Sequence, residues 1–80
     1  PEDAVDAKTR LQEWLQARGE GLPLYTVLDV SGSAHDQTFR VSCELKHRKL
    51  MTAAEGASRR AAEKRAAEEM LLKLSVTTRG

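Results

Sequence analysis

Eighty residues and 8.9 kDa provide for one compact domain and leave no material for a second core. With 40% hydrophobic residues and no apolar run approaching about 18 residues, the chain is neither a membrane span nor a wholly disordered polar segment. Thirteen Lys and Arg against twelve Asp and Glu leave a net charge of +1, from which no global attraction to nucleic acid or to a membrane follows.

From Asp6 onward the run A-K-T-R-L-Q-E-W-L-Q-A-R places Leu11, Trp14, Leu15 and the stem of Arg18 at i, i+3, i+4 and i+7, the spacing of one helical face. Asp6 is the expected N-cap, and Gly19 and Gly21 end the helix. After the turn G-E-G-L-P, Tyr25 to Ser31 is rich in β-branched and aromatic residues and reads as a strand, with Ser31 to Asp36 a polar loop around Gly32. Phe39, Val41, Cys43 and Leu45 then alternate with Thr38, Arg40, Ser42 and Glu44, the period of a half-buried strand with one wet face. A basic turn, Lys46 to Arg48, leads into a third strand around Lys49 to Ala54. Gly56 and Ala57 precede Ser58, an N-cap residue, after which good helix formers run to Leu74. The pairs Arg59–Glu63, Lys64–Glu68, Arg65–Glu69 and Glu69–Lys73 lie at i, i+4 and support an exposed flank.

The order α-β-β-β-α predicts an α+β fold in which two amphipathic helices share one face of a three-stranded antiparallel sheet, since neither layer buries its apolar side alone. The domain is expected over residues 6–74. Pro1 to Val5 reads as a flexible leader from an upstream domain and Ser75 to Gly80 as a flexible tail, and with Pro1 rather than Met at its start the chain is expected to be a fragment of a longer protein. The single Cys43 forms no internal disulfide, which favours a reducing, cytoplasmic setting, and no apolar signal segment precedes the fold.

The near-neutral total conceals an asymmetry. Residues 1–36 carry seven acids and three bases, a local charge of −4, whereas residues 46–65 carry seven bases and two acids, a local charge of +5. Within that basic stretch Arg59 and Arg60 occupy the first turn of the second helix, where the macrodipole is already positive and acids are the stabilising choice. Free backbone N–H groups, the dipole and two guanidinium groups aimed at one spot bind phosphate. The bland alternative is that both bases find Glu63 and other carboxylates. Lys64 and Arg65 extend the positive surface, and Glu63 interrupts it.

Helix 1 holds a second unexplained face. On a helical wheel with Thr9 at zero, Gln12, Glu13 and Gln16 fall at about 300°, 40° and 340°, opposite the apolar arc. An ordinary solvated face accounts for such a stripe. Its hydroxyl, amide and carboxylate groups, which accept as well as donate, also suit the 2′-hydroxyls and base edges of an A-form minor groove. His35, Cys43 and His47 are too scattered for a zinc site, and Cys43 belongs to the apolar face of its strand. Glu63, Glu68 and Glu69 each have a base at i±4, so helix pairing explains them better than a catalytic carboxylate cluster. No nucleophile–base pair, phosphate-cradling glycine loop or metal-ligand spacing is present, and no catalytic residue is expected.

Four segments in order, K-T-R-L-Q-E-W-L-Q at Lys8 to Gln16, P-L-Y at Pro23 to Tyr25, G-S-A-H-D-Q-T-F at Gly32 to Phe39 and G-A-S-R-R-A-A-E-K-R-A-A at Gly56 to Ala67, resemble the double-stranded RNA-binding domain. The opening segment is most similar to the C-terminal domain of bacterial ribonuclease III. The resemblance covers about residues 6–74 and implies the same α-β-β-β-α fold. It implies further that Thr9, Gln12, Glu13 and Gln16 enter one minor groove, that His35 enters the next, and that Ser58, Arg59 and Arg60 bridge major-groove phosphates between them. Such modules span about 16 bp and read shape more than sequence.

Four positions depart from the family pattern: Ser33 and Gln37 stand where proline is usual, Ala54 where glycine is common, and Glu63 where a third lysine is common. These imply a looser loop around His35 and two strong phosphate contacts rather than three, with Lys64 compensating in part. The resemblance implies no cofactor for this domain and double-stranded RNA as its partner, with no membrane. It also implies an absent upstream nuclease domain that uses Mg²⁺, forms a homodimer and processes ribosomal and messenger RNA. The alternatives are a protein-interaction or dimerisation module of the same fold, or an RNA-binding repeat of a non-enzymatic regulator.

Overall fold

In the computed structural model, which describes the backbone of residues 6–79 and the side chains of residues 6–75, the chain runs α1 (Ala7–Ala17), β1 (Leu24–Ser33), β2 (Asp36–Leu45), β3 (Leu50–Gly56) and α2 (Arg59–Arg79). The strands form one antiparallel sheet in the order β1-β2-β3, and both helices pack on one of its faces, as the amphipathic patterns require. Leu11 and Leu15 of α1, Cys43 and Leu45 of β2, and Ala66, Ala67, Met70 and Leu74 of α2 meet in the core. Leu11 and Met70 are wholly buried, and each such side chain stabilises the fold by roughly 1.5–3 kcal/mol. The alanines of α2 let its axis lie close to β3, where Thr52 Oγ1 donates to the Ala66 carbonyl at 2.8 Å.

Gly56 makes that closeness possible at the start of α2: a Cβ there would sit 2.6 Å from the Ala62 nitrogen. Ser58 caps the helix as expected, its Oγ accepting from the Ala61 N–H at 3.1 Å and its carbonyl from Ala62 N–H at 3.0 Å.

Several local expectations are corrected. The loop placed at Ser31 to Asp36 is a two-residue turn, Ala34-His35, because both strands pair out to Ser33↔Asp36. Gly32, at φ +92°, admits this arrangement: a Cβ would fall 2.2 Å from the Asp36 carbonyl oxygen. Ser42, assigned to the wet face, is only 3% exposed, since a small side chain in the central strand is covered by its neighbours Thr26 and Ala53. Arg18, whose stem was assigned to the core arc, is exposed and lies across Trp14, because the helix has ended one residue earlier. Asp6 is at the N-cap but caps through its carbonyl, which accepts from Arg10 N–H at 2.9 Å, without a side-chain bond.

β3 runs to Gly56 rather than Ala54, and Ala54 is an ordinary half-buried strand residue opposite Val41, so no glycine is needed there. α2 continues to Arg79, past the Leu74 limit read from the sequence. The expected leader, residues 1–5, and Gly80 of the expected tail lie outside the described residues.

Candidate nucleic-acid interface

Burial of Leu11 and Leu15 rotates the opposite side of α1 outward, and Thr9, Gln12, Glu13 and Gln16 are all exposed there. They form one continuous polar face of mixed donors and acceptors.

At the start of α2, Arg59 and Arg60 are both exposed, and no acid stands in the first turn to neutralise them. Arg60 makes no hydrogen bond or ion pair among the described residues. With Lys64, Lys8 and Asp6 it lines an open hollow of about 460 Å³. The Ser58 hydroxyl is committed as an acceptor by its cap, which leaves its proton free to donate outward. Arg59 is only partly free: its Nε donates to Glu63 Oε2 at 2.9 Å, as the i, i+4 reading foresaw, while its side chain stays 61% exposed. The helix N-terminus and these cations reinforce one another electrostatically, the arrangement that holds phosphate oxygens.

His35 is carried separately. The last β2–β3 pair is Phe39↔Gly56, so residues 36–38 and their β1 partners continue past the sheet as a two-stranded arm about 10 Å long, with the exposed His35 at its tip. Because only two residues, Ala57 and Ser58, lie between the end of β3 and the start of α2, the helix N-terminus lies at the same end of the sheet as the arm.

One group at this interface was misread from the sequence. Glu63 is not an interruption on the surface; its side chain is 10% exposed and lies between the two helices. Oε1 receives Lys8 Nζ of α1 at 2.5 Å, and Oε2 receives Arg59. Burial raises the Glu63 carboxyl, but hydrogen bonds from Lys8 and Arg59, with their charges, outweigh it and hold the group below the ordinary glutamate range. Lys8 is fixed a second time, its ammonium lying 4.9 Å from the centre of the Tyr25 ring in β1. Fifty-five residues separate Lys8 from Glu63, and no local spacing announces the pair.

At the far end of the sheet, the β2–β3 turn is tied down by Arg48. Its guanidinium lies 4.8 Å from the centre of the Trp14 ring, whose Arg18 contact is at 3.7 Å, and it grips Glu20. His47, Lys46 and Lys49 are exposed beside it. Cys43 is a buried core thiol, pushed up to about 11 by burial and lowered only in part by Tyr25. Among the described residues no group of His, Cys, Asp and Glu is placed to hold a metal ion.

This combination, a mixed polar helix face, a cationic helix start and a projecting hairpin on an α-β-β-β-α frame, defines a nucleic-acid-binding class of small domain. Residues 7–74 match the double-stranded RNA binding motif, and the chain belongs to that family. Ribonuclease 3 of Dechloromonas aromatica is 52% identical over 69 residues, covering 86% of this chain and 31% of the relative. Ribonuclease 3 of Alkalilimnicola ehrlichii is 56% identical over 69 residues, covering 86% and 30%, and that of Methylococcus capsulatus is 53% identical over 74 residues, covering 92% and 32%. The chain therefore spans about 30% of the length of the curated relatives it matches, and the resemblance to the C-terminal domain of bacterial ribonuclease III holds.

Proposed function

We propose that this domain binds double-stranded RNA by its A-form shape. Thr9, Gln12, Glu13 and Gln16 address 2′-hydroxyls and base edges in one minor groove, His35 on its arm reaches the next, and Ser58, Arg59, Arg60 and Lys64 hold phosphates across the intervening major groove. The observation that carries this reading is the start of α2: cations gather at a positive helix end with no acid in the first turn, a local cost that the Glu63 contact offsets for Arg59 and that no described contact offsets for Arg60. Overall neutrality fits, because the α1 contacts need no positive charge.

In the parent protein the domain would present the duplex to the endonuclease domain of a ribonuclease III. Cleavage with Mg²⁺, homodimerisation and any processing of ribosomal or messenger RNA are assigned to that larger protein, and a cytoplasmic location follows from the same reading. Among the described residues no helix is long and apolar enough to cross a membrane.

The test is a mobility shift of double-stranded RNA, double-stranded DNA and single-stranded RNA at equal salt, with the parent chain and the R59A/R60A double variant. The parent chain is expected to prefer the RNA duplex, and the variant to weaken binding to every duplex sequence alike. A slope of log K against log salt that is shallower by about 0.7–0.9 per lost contact would accompany it. Arg60→Ala alone is expected to move the slope more than Arg59→Ala, since Arg59 already spends part of its charge on Glu63. A double variant that shifts RNA as well as the parent does overturns the phosphate assignment, and dimerisation without RNA binding points to a protein-interaction module instead.

A further inference from the structure

Glu63 lies among the cations of α2, where an acid weakens any attraction for phosphate. Electrostatics alone would favour its removal. Its geometry supplies the reason for its presence: the two oxygens of one buried carboxylate go to different helices, Oε1 to Lys8 of α1 and Oε2 to Arg59 of α2. Lys8 immediately precedes Thr9, the first residue of the polar α1 face, and Arg59 is the first residue of α2. Lys8 is also held against the Tyr25 ring, so the α1 end of this link is tied to the sheet as well as to α2.

We infer that Glu63 is a positioning residue that registers the α1 polar face against the α2 cations and thereby makes the domain select A-form over B-form duplexes. The inference rests on the duplex-RNA reading above. A phosphate contact taken singly does not tell one duplex form from the other, because both present charged backbones to a cationic helix end. Only RNA offers 2′-hydroxyls, and A-form and B-form helices differ in groove width and depth, so the α1 face reads the duplex only when it is held at a fixed offset from the phosphate contacts. Lys8–Glu63–Arg59 is the link that sets this offset between the two helices. It sacrifices some unspecific attraction and gains shape selection.

Glu63→Gln keeps the side-chain shape, but an amide accepts through one oxygen only and cannot hold both cations. RNA-duplex affinity is expected to fall while DNA-duplex affinity holds or rises, because the buried negative charge beside the α2 cations has gone. The RNA-to-DNA affinity ratio is expected to drop about five- to tenfold, the size of one lost charge-pair coupling. Lys8→Met, which frees only the α1 arm and leaves Arg59 on Glu63, is expected to lower the ratio in the same way. The double variant K8M/E63Q should lower it no further than either alone, since one link is being broken.

Circular dichroism melts accompany each variant. A purely structural role lowers the folded fraction and weakens both duplexes equally, leaving the ratio unmoved; Lys8→Met supplies the reading if E63Q does not fold. A parental ratio in both K8M and E63Q, or additive losses in the double variant, overturns the inference while the duplex-RNA reading stands. A parent chain with no preference for the RNA duplex overturns that reading itself.

Discussion

Arg48 closes on Glu20 across 28 residues of sequence, Nε donating to Oε1 at 2.9 Å and Nη2 to Oε2 at 2.7 Å. Both side chains are mostly covered, and the same guanidinium lies over Trp14, so three segments meet at one planar group: the end of α1, the α1–β1 connection and the β2–β3 turn. A bidentate, stacked arginine resists substitution by lysine, which lacks the fork and the flat face.

Arg48→Ala, and to a lesser degree Arg48→Lys, is therefore expected to lower the thermal midpoint by a few degrees and to shift Trp14 emission to the red as the indole loses cover. The clasp lies at the opposite end of the sheet from the hairpin arm and the start of α2. Duplex affinity measured well below the midpoint is expected to stay at the parental value. A melt recorded by fluorescence and a mobility shift on the same sample check both halves of this expectation.

Acid sensitivity follows from two carboxylates. Glu20 is held below the ordinary glutamate value of 4.5 by its hydrogen bonds from Arg48, and Glu63 is held below it by Lys8 and Arg59 against the opposing effect of burial. A carboxyl whose folded value is depressed contributes stability that is fully present above its unfolded value and lost as pH falls through the folded one. Urea midpoints are expected to be flat in the neutral range and to decline as pH drops below about 4.5. Glu20→Gln and Glu63→Gln are each expected to be less stable than the parent at neutral pH and to show a shallower acid decline. Equal slopes in all three proteins would place the acid-sensitive groups elsewhere.

The parts of this molecule that local spacing encodes were legible in the sequence. Leu11 and Leu15 mark the buried side of α1, the alternation from Phe39 to Leu45 marks β2, and Ser58 marks the start of α2. The exposed α1 stripe and the misplaced charges at Arg59 and Arg60 were equally visible, because each breaks or completes a helical pattern. What stayed hidden depends on tertiary distance. Lys8 and Glu63 are neighbours only once two helices cross, and Glu20 and Arg48 only once the sheet has formed. The turn length escaped because Ala34-His35 lacks the Asn-Gly chemistry of the commonest two-residue hairpins, the positive φ falling instead on Gly32. Ser42 was misassigned because alternation tells which side a residue faces, while its cover depends on which strands flank it.

Gly56 and Gly32 offer a contrast between two contact surfaces. A methyl group at Gly56 would press on the backbone of the first turn of α2, 2.6 Å from Ala62 N and 2.9 Å from the Ala61 carbonyl carbon. Backbone atoms do not step aside as a flexible side chain would, so the helix start must shift and carry Arg59 and Arg60 with it. Gly56→Ala is expected to cost about 1–3 kcal/mol, in the range of overpacked cores, and to make the salt dependence of duplex binding shallower. A methyl group at Gly32 instead meets the Asp36 carbonyl oxygen inside the hairpin arm and opposes a φ of +92°. Gly32→Ala is expected to disturb His35 and lower affinity while leaving the salt slope at its parental value, since no phosphate-binding cation moves. Titrations of both variants against one RNA duplex at several salt concentrations separate the two effects. A slope change in Gly32→Ala, or its absence in Gly56→Ala, would mean that the phosphate contacts are not centred on the start of α2.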